Sequence, residues 1–169
     1  KDFALQHFFA TSKIDPKSGR VIVSLPFYED PINLGSSVRI AETRYFNNER
    51  KLLRNWIHYD LYQQTMRETI ANGYMEQVPD SELVKLPSEC YYIPHHAVFK
   101  EDSTTTKLRI VMDASCPTTS GKSLNDLLVN GPRLQDDLFH ILIRFRFYVV
   151  AVIGDIAKIY RQVRLDDKS

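Results

Sequence analysis

The stretch VVAVIGDIAKIYRQV, residues 149–163, places one aspartate, Asp155, directly after an uninterrupted apolar run and a tyrosine, Tyr160, five positions later. A β-rich apolar run of this length reads as a buried strand, here 148–153. An aspartate at the end of such a strand is ordinarily a helix cap or a turn residue. Whether Asp155 is more than that depends on what surrounds it in the chain.

The bulk numbers admit an ordinary globular protein. The chain has 169 residues, 43% apolar and 25% charged, with a formal net charge of +1. That is enough for one domain or two small subdomains, and it is not the composition of a disordered chain. A net charge near zero neither requires nor excludes a nucleic-acid partner, because a basic face can coexist with acidic ones. The two cysteines, Cys90 and Cys116, imply no disulfide framework. His95 and His96, adjacent on a predicted strand, point to opposite faces and do not form a chelating pair. No apolar run approaches the roughly 20 residues of a membrane span. The chain starts at Lys1 rather than Met and carries no signal peptide, which reads as a piece of something longer inside a cell.

Outward from the opening stretch, the order of elements is legible. Residues 8–27 read as a β-hairpin turning at Asp15-Pro16-Lys17-Ser18-Gly19, followed by a linker at 31–35. Between Ser36 and Asn72 there is no Gly or Pro, and Val38, Tyr45, Leu52, Tyr59 and Met66 recur every seven residues. That spacing is helical. A single helix there would run about 55 Å, so two helices broken at Asn47-Asn48 are expected, their stripe packed in a core or paired as a coiled coil. Residues 73–87 read as a connector.

Residues 91–99 and 107–113 read as the two strands of a second hairpin with the polar tip Lys100-Glu101-Asp102-Ser103-Thr104-Thr105-Thr106. Alternation sets Leu108, Ile110 and Met112 on one face of the return strand, and Lys107, Arg109 and Val111 on the other. A loop-rich stretch with a short apolar segment, 124–129, precedes a helix whose stripe is Leu134, Leu138, Ile141, Leu142 and Phe145. Asp136 and Asp137 fall in its first turn and Arg144 and Arg146 in its last, as the helix dipole favours. A cationic hairpin, a helix and a strand ending in aspartate suit phosphoryl transfer, which needs cations over phosphates and a carboxylate for divalent metal.

Three segments carry a more specific signal: YYIPHHAVFKEDSTTTKLRIVMDAS (91–115), SLNDLLVNGPRLQDDLFHILIRFR (123–146) and DIAKIYRQV (155–163). Together they resemble the reverse transcriptase of BEL/Pao-type long-terminal-repeat retrotransposons. GRVIVSLPF (19–27) and LGSSVRIAETRYFNNERKL (34–52) resemble the segment preceding that polymerase core, so the likeness spans nearly the whole chain. It implies an α+β fragment of a right-hand polymerase. The N-terminal hairpin and linker would occupy 1–35, a helical lead-in 36–90, the fingers hairpin, loop and helix 91–147, and the first palm strand 148–169.

By this resemblance Asp155 is the first metal-binding catalytic aspartate, and Ile156 offers its backbone carbonyl to Mg²⁺ or Mn²⁺. Tyr160 stands at the steric gate against a ribose 2′-hydroxyl. Arg109 is the fingers arginine on the incoming triphosphate, and Lys100 or Lys107 the fingers lysine. Arg161 and Gln162 either orient the template or face solvent, and Asp113 is structural. Ala157 and Ile159 depart from the family's Asp-Ile-Glu-Lys-Met pattern. The implied partners are RNA or DNA template–primer, dNTPs and the downstream palm, thumb, RNase H and integrase, in cytoplasm or virus-like particles. Asp166-Asp167 follows Asp155 by only eleven residues and reads as a turn, not the second aspartate motif. The fragment alone is therefore expected to be inactive. A non-catalytic remnant that binds nucleic acid, and a helical self-association module, are the other readings.

Overall fold

The computed structural model describes residues 2–80, 90–104 and 106–166; the connector expected at 73–87 lies outside them from 81 onward, as do Thr105 and Asp167. The architecture is α+β, and the chain forms two units, 27–127 and a second made of 2–26 with 128–166.

In the continuous unit, Asp30 caps a 3₁₀ turn, Pro31–Leu34, by accepting from the Ile32 N–H at 3.0 Å. Proline at the first position suits that start, since its missing N–H would have no partner there. Gly35 follows at φ +77°, and a Cβ on it would lie 2.7 Å from Thr119 Oγ1. Only glycine meets both conditions. The close approach exists because the 118–120 loop grips this turn: the Thr118 and Ser120 hydroxyls both donate to the Leu34 carbonyl. The loop ends in a reciprocal cap, in which the Ser123 N–H donates to Asp126 Oδ2 at 2.9 Å and the Asp126 N–H to Ser123 Oγ at 3.3 Å. It opens the single-turn helix α4, Leu124–Leu127.

Two helices do form in the Gly- and Pro-free stretch, α2 (Val38–Leu52) and α3 (Trp56–Ala71). The break is not at Asn47-Asn48 but at Asn55, whose side-chain oxygen accepts from the Ile57 and His58 N–H groups at 3.1 and 3.3 Å. Asparagine breaks a helix when its side chain competes for local backbone. Asn48 has another partner: it is buried within α2, and its Oδ1 accepts from the Ala97 N–H of the strand over His95–Phe99 at 3.4 Å.

Strands β3 (His95–Phe99) and β4 (Leu108–Met112) form the expected hairpin in antiparallel register, with Ala97 opposite Ile110 and Val98 opposite Arg109. The core is Leu52, Tyr62 and Leu108, with Leu61, Met66, Ala97, Phe99 and Ile110 packed against it. Leu52 and Met66 of the heptad stripe thus go into this core.

The second unit begins with helix α1 (Asp2–Thr11), so 8–11 is helix, and the first hairpin is confined to β1 (Lys13–Ile14) and β2 (Val21–Val23). Helix α5 (Leu138–Arg146) starts four residues later than Leu134, with Asp137 at its N-cap position and no buried residue. The segment 148–153 is not a strand: it is irregular and exposed, Val149 and Val152 almost fully. The sheet instead uses β5 (Val163–Leu165), parallel to β2 with Val21 opposite Val163 and Val23 opposite Leu165. Among the described residues the apolar run has no ladder to join, and β-propensity alone does not make a strand. No helix among the described residues is long and apolar enough to cross a membrane.

Leu108→Ala is expected to lower the unfolding free energy by about 2–5 kcal/mol, while Leu134→Ala, at a position 80% exposed, changes it by less than about 0.5 kcal/mol. Urea unfolding of both variants measures this; equal effects would refute the core assignment.

Candidate nucleic-acid interface on the β3–β4 hairpin

Residues opposite one another in an antiparallel pair share a face, and the face alternates along each strand. The observed register therefore divides the hairpin cleanly. His95, Ala97, Phe99, Leu108, Ile110 and Met112 form one face, from which Leu108, Ala97, Phe99 and Ile110 enter the core. His96, Val98, Arg109 and Val111 form the other. The ladder extends one pair outward, because the Lys100 N–H donates to the Lys107 carbonyl at 2.8 Å. Lys100 and Lys107 thus face each other at the mouth of the tip, on the side of Arg109. The choice between the two lysines, open in the sequence, becomes a juxtaposition of both. All three cations are exposed, and none forms an ion pair with a described residue.

The tip is fixed from the helical side. His58 of α3 stacks on Phe99 with ring centroids 3.9 Å apart, and its Nε2 lies 3.7 Å from a Glu101 carboxylate oxygen. Deeper in, Tyr62 and His95 are joined by a 2.7 Å hydrogen bond between the hydroxyl and Nε2. Burial pushes the His95 pKa down, with neighbouring His96 adding to the effect, and burial pushes the Tyr62 hydroxyl up. The two shifts agree: a neutral imidazole accepts from a phenol that keeps its proton. His96 lies on the opposite face from His95, and its Nδ1 is buried without a partner.

At the base of β4, Asp113 accepts from the Ser115 hydroxyl at 2.6 Å and lies 2.9 Å from Arg44 of α2. The Ser115 bond does most to hold its carboxyl below the usual range; desolvation opposes it, and the Arg44 guanidinium adds a smaller lowering effect. This carboxylate ties hairpin to helix.

The remaining sequence-predicted residues belong to the other unit. Asp155 and Ile156 lie in the irregular, exposed segment, and Tyr160 is 92% exposed on a 3₁₀ turn, Ile159–Gln162, which also carries Arg161 and Gln162. That turn opens at Lys158 with φ +54°, a left-handed conformation unusual for a residue with a Cβ, and the Arg161 N–H closes back on the Lys158 carbonyl at 2.8 Å. Asp166 follows β5: its N–H donates to the Val23 carbonyl at 2.9 Å and its carboxylate lies 3.3 Å from Lys13. Sequence reasoning missed β5 and its anchor, Arg164 3.8 Å from Asp15; the alternating Val163-Arg164-Leu165 was the available signal. Among the described residues no three His, Cys, Asp or Glu side chains gather as a metal-ligand set. Asp155 and the Ile156 carbonyl therefore do not by themselves make a site for two Mg²⁺ ions.

No family model matches the chain, and neither a curated protein nor a solved structure matches it.

A histidine whose folded-state pKa is depressed binds fewer protons than it does in the unfolded chain. Stability then rises with pH across the window between the two values and is lost as pH falls below the unfolded value, 6.5. Thermal unfolding is expected at a lower temperature at pH 5.5 than at pH 7.5, with a shallower dependence in His95→Gln. Identical pH profiles for the two proteins would show that His95 is not a source of the effect.

Proposed function

We propose that the chain is the fingers region and first palm segment of an RNA-directed DNA polymerase of the BEL/Pao reverse-transcriptase kind, and that it holds nucleic-acid or nucleotide phosphates on the outer face of β3–β4. The observation that carries this reading is the hairpin's two-sidedness. Its apolar face is anchored in the Leu52–Tyr62–Leu108 core, and Lys100, Lys107 and Arg109 share the exposed face. The resemblance of 91–115 and 155–163 to that family supports the same reading.

In this assignment Arg109 supplies a planar fork able to bind a phosphate with two parallel hydrogen bonds, while Lys100 and Lys107 act as compact charges beside it. Tyr160 presents an aromatic edge to the sugar. Asp155 and the Ile156 carbonyl contribute to a divalent-metal set, Mg²⁺ or Mn²⁺, completed by carboxylates beyond the described residues. A second reading, a nucleic-acid-binding remnant without catalysis, is favoured by the single carboxylate at Asp155. Under both readings the 169-residue chain binds template–primer and does not extend it.

Fluorescence anisotropy with a labelled template–primer tests this. With three phosphate contacts, the logarithm of affinity is expected to fall against the logarithm of salt concentration with a slope of about −2 to −3, and Arg109→Ala should reduce that slope by about one. Affinity that does not change with salt, or that is equal in a Lys100→Ala/Lys107→Ala/Arg109→Ala variant, would remove the hairpin from the interface.

A further inference from the structure

The two residues that flank Lys100 in the chain, Phe99 and Glu101, both meet one side chain of helix α3. The His58 ring lies nearly parallel to that of Phe99, 13° from it at 3.9 Å, and its Nε2 is 3.7 Å from the Glu101 carboxylate. His58 is itself held, because the Asn55 side chain accepts from its backbone N–H at the start of α3. The Lys100 backbone is held as well: its N–H donates to the Lys107 carbonyl at 2.8 Å, and its carbonyl accepts from the Ser103 N–H at 3.1 Å. The mouth of the hairpin is thus fixed through its own backbone and through both neighbours of Lys100.

Packing alone does not call for a histidine here. A phenylalanine at position 58 would cover Phe99 as well; the imidazole adds a polar atom at the rim of the core, and that atom is turned toward an acid. The acid matters because of where it stands. The Glu101 side chain is 85% exposed and follows Lys100 directly, with Lys107 across the mouth. Like charges opposite each other on paired strands repel, and a carboxylate one residue away is a ready counter-ion for them. Yet neither lysine makes an ion pair with a described residue, and the Glu101 carboxylate lies beside His58 on the helical side.

We infer that His58 is a positioning residue for the basic face: it holds the Glu101 carboxylate on the helical side of the tip, so that Lys100 and Lys107 stay open to phosphate. The inference rests on the phosphate-binding reading of β3–β4 and adds the residue that keeps that face clear of the chain's own acid. When the contact is lost, Glu101 turns outward and competes with phosphate for the two ammonium groups.

Fluorescence anisotropy with the labelled template–primer is the test, at fixed ionic strength and about pH 6, on the acid side of the usual histidine range. His58→Phe keeps a ring on Phe99 and removes the nitrogen; it should weaken binding about two- to fivefold, the scale of one exposed charge contact. Glu101→Gln should restore the affinity in that background and change it little in the unaltered chain. Asp102→Asn, the control at the other acid of the tip, should have the same effect in both backgrounds. Glu101→Asp, at an exposed position where the fold is not at risk, no longer reaches His58 and should weaken binding in the same direction. It decides the matter if His58→Phe proves unfolded by circular dichroism. The role of His58 is overturned, with the phosphate reading left standing, by three results: His58→Phe binding like the unaltered chain, a loss that Glu101→Gln does not restore, or no loss in Glu101→Asp. If instead the Lys100→Ala/Lys107→Ala/Arg109→Ala variant binds as tightly as the unaltered chain, the phosphate reading falls and this inference with it.

Discussion

Leu108 meets Leu52 and Tyr62, and that apolar contact decides which way the β3–β4 hairpin faces. Side chains alternate along a strand, so a slip of one residue would turn Lys100, Lys107 and Arg109 toward the helices and Leu108 toward water. Two polar contacts guard the register. Asn48 satisfies a backbone N–H of β3 from the helical side, and the Tyr62–His95 bond fixes the same strand two residues away. Each is buried at least in part, where an unmet partner is costly. The orientation of the basic face therefore follows from packing and polar satisfaction on the opposite side of the sheet.

The net charge of +1 conceals how the carboxylates are used. Asp15 serves its own turn, held below the usual pKa range first by the Ser18 hydroxyl and the Lys17 N–H. Asp126 serves the Ser123 cap, Asp113 pairs with Arg44, Asp136 with Arg144, and Asp166 with Lys13. These acids are engaged in local structure. A near-neutral protein can in this way keep a local positive field.

The hairpin was legible in the sequence because its strands alternate and its tip is wholly polar. The helical stretch was legible too, from spacing and the lack of Gly and Pro. Its break was misplaced at Asn47-Asn48 because asparagine has two behaviours. Asn55 caps a helix locally, whereas Asn48 bonds to a strand 49 residues away that no local reading contains. The same limit explains 148–153 and β5. The more apolar run reads as the strand, but ladder formation depends on a neighbour, and β2 accepts Val163–Leu165. Helix α1 escaped notice because its two adjacent phenylalanines, Phe8 and Phe9, blur the helical period. For the candidate site, the sequence supplied the three cations, and only the register showed that both lysines flank the tip together.

The parallel pairing of β2 with β5 joins residues 142 apart, Val21 to Val163. Residues 27–127 are meanwhile one uninterrupted unit. During synthesis that unit is wholly available while β5 is still unmade, so it can reach its native packing with β2 waiting at an open sheet edge. Closing so long a loop is slow and entropically opposed in an unstructured chain, and prior folding of the intervening unit shortens the effective tether. The vectorial order of translation thus suits this topology, and refolding from denaturant, where both ends compete at once, would follow a different and slower course.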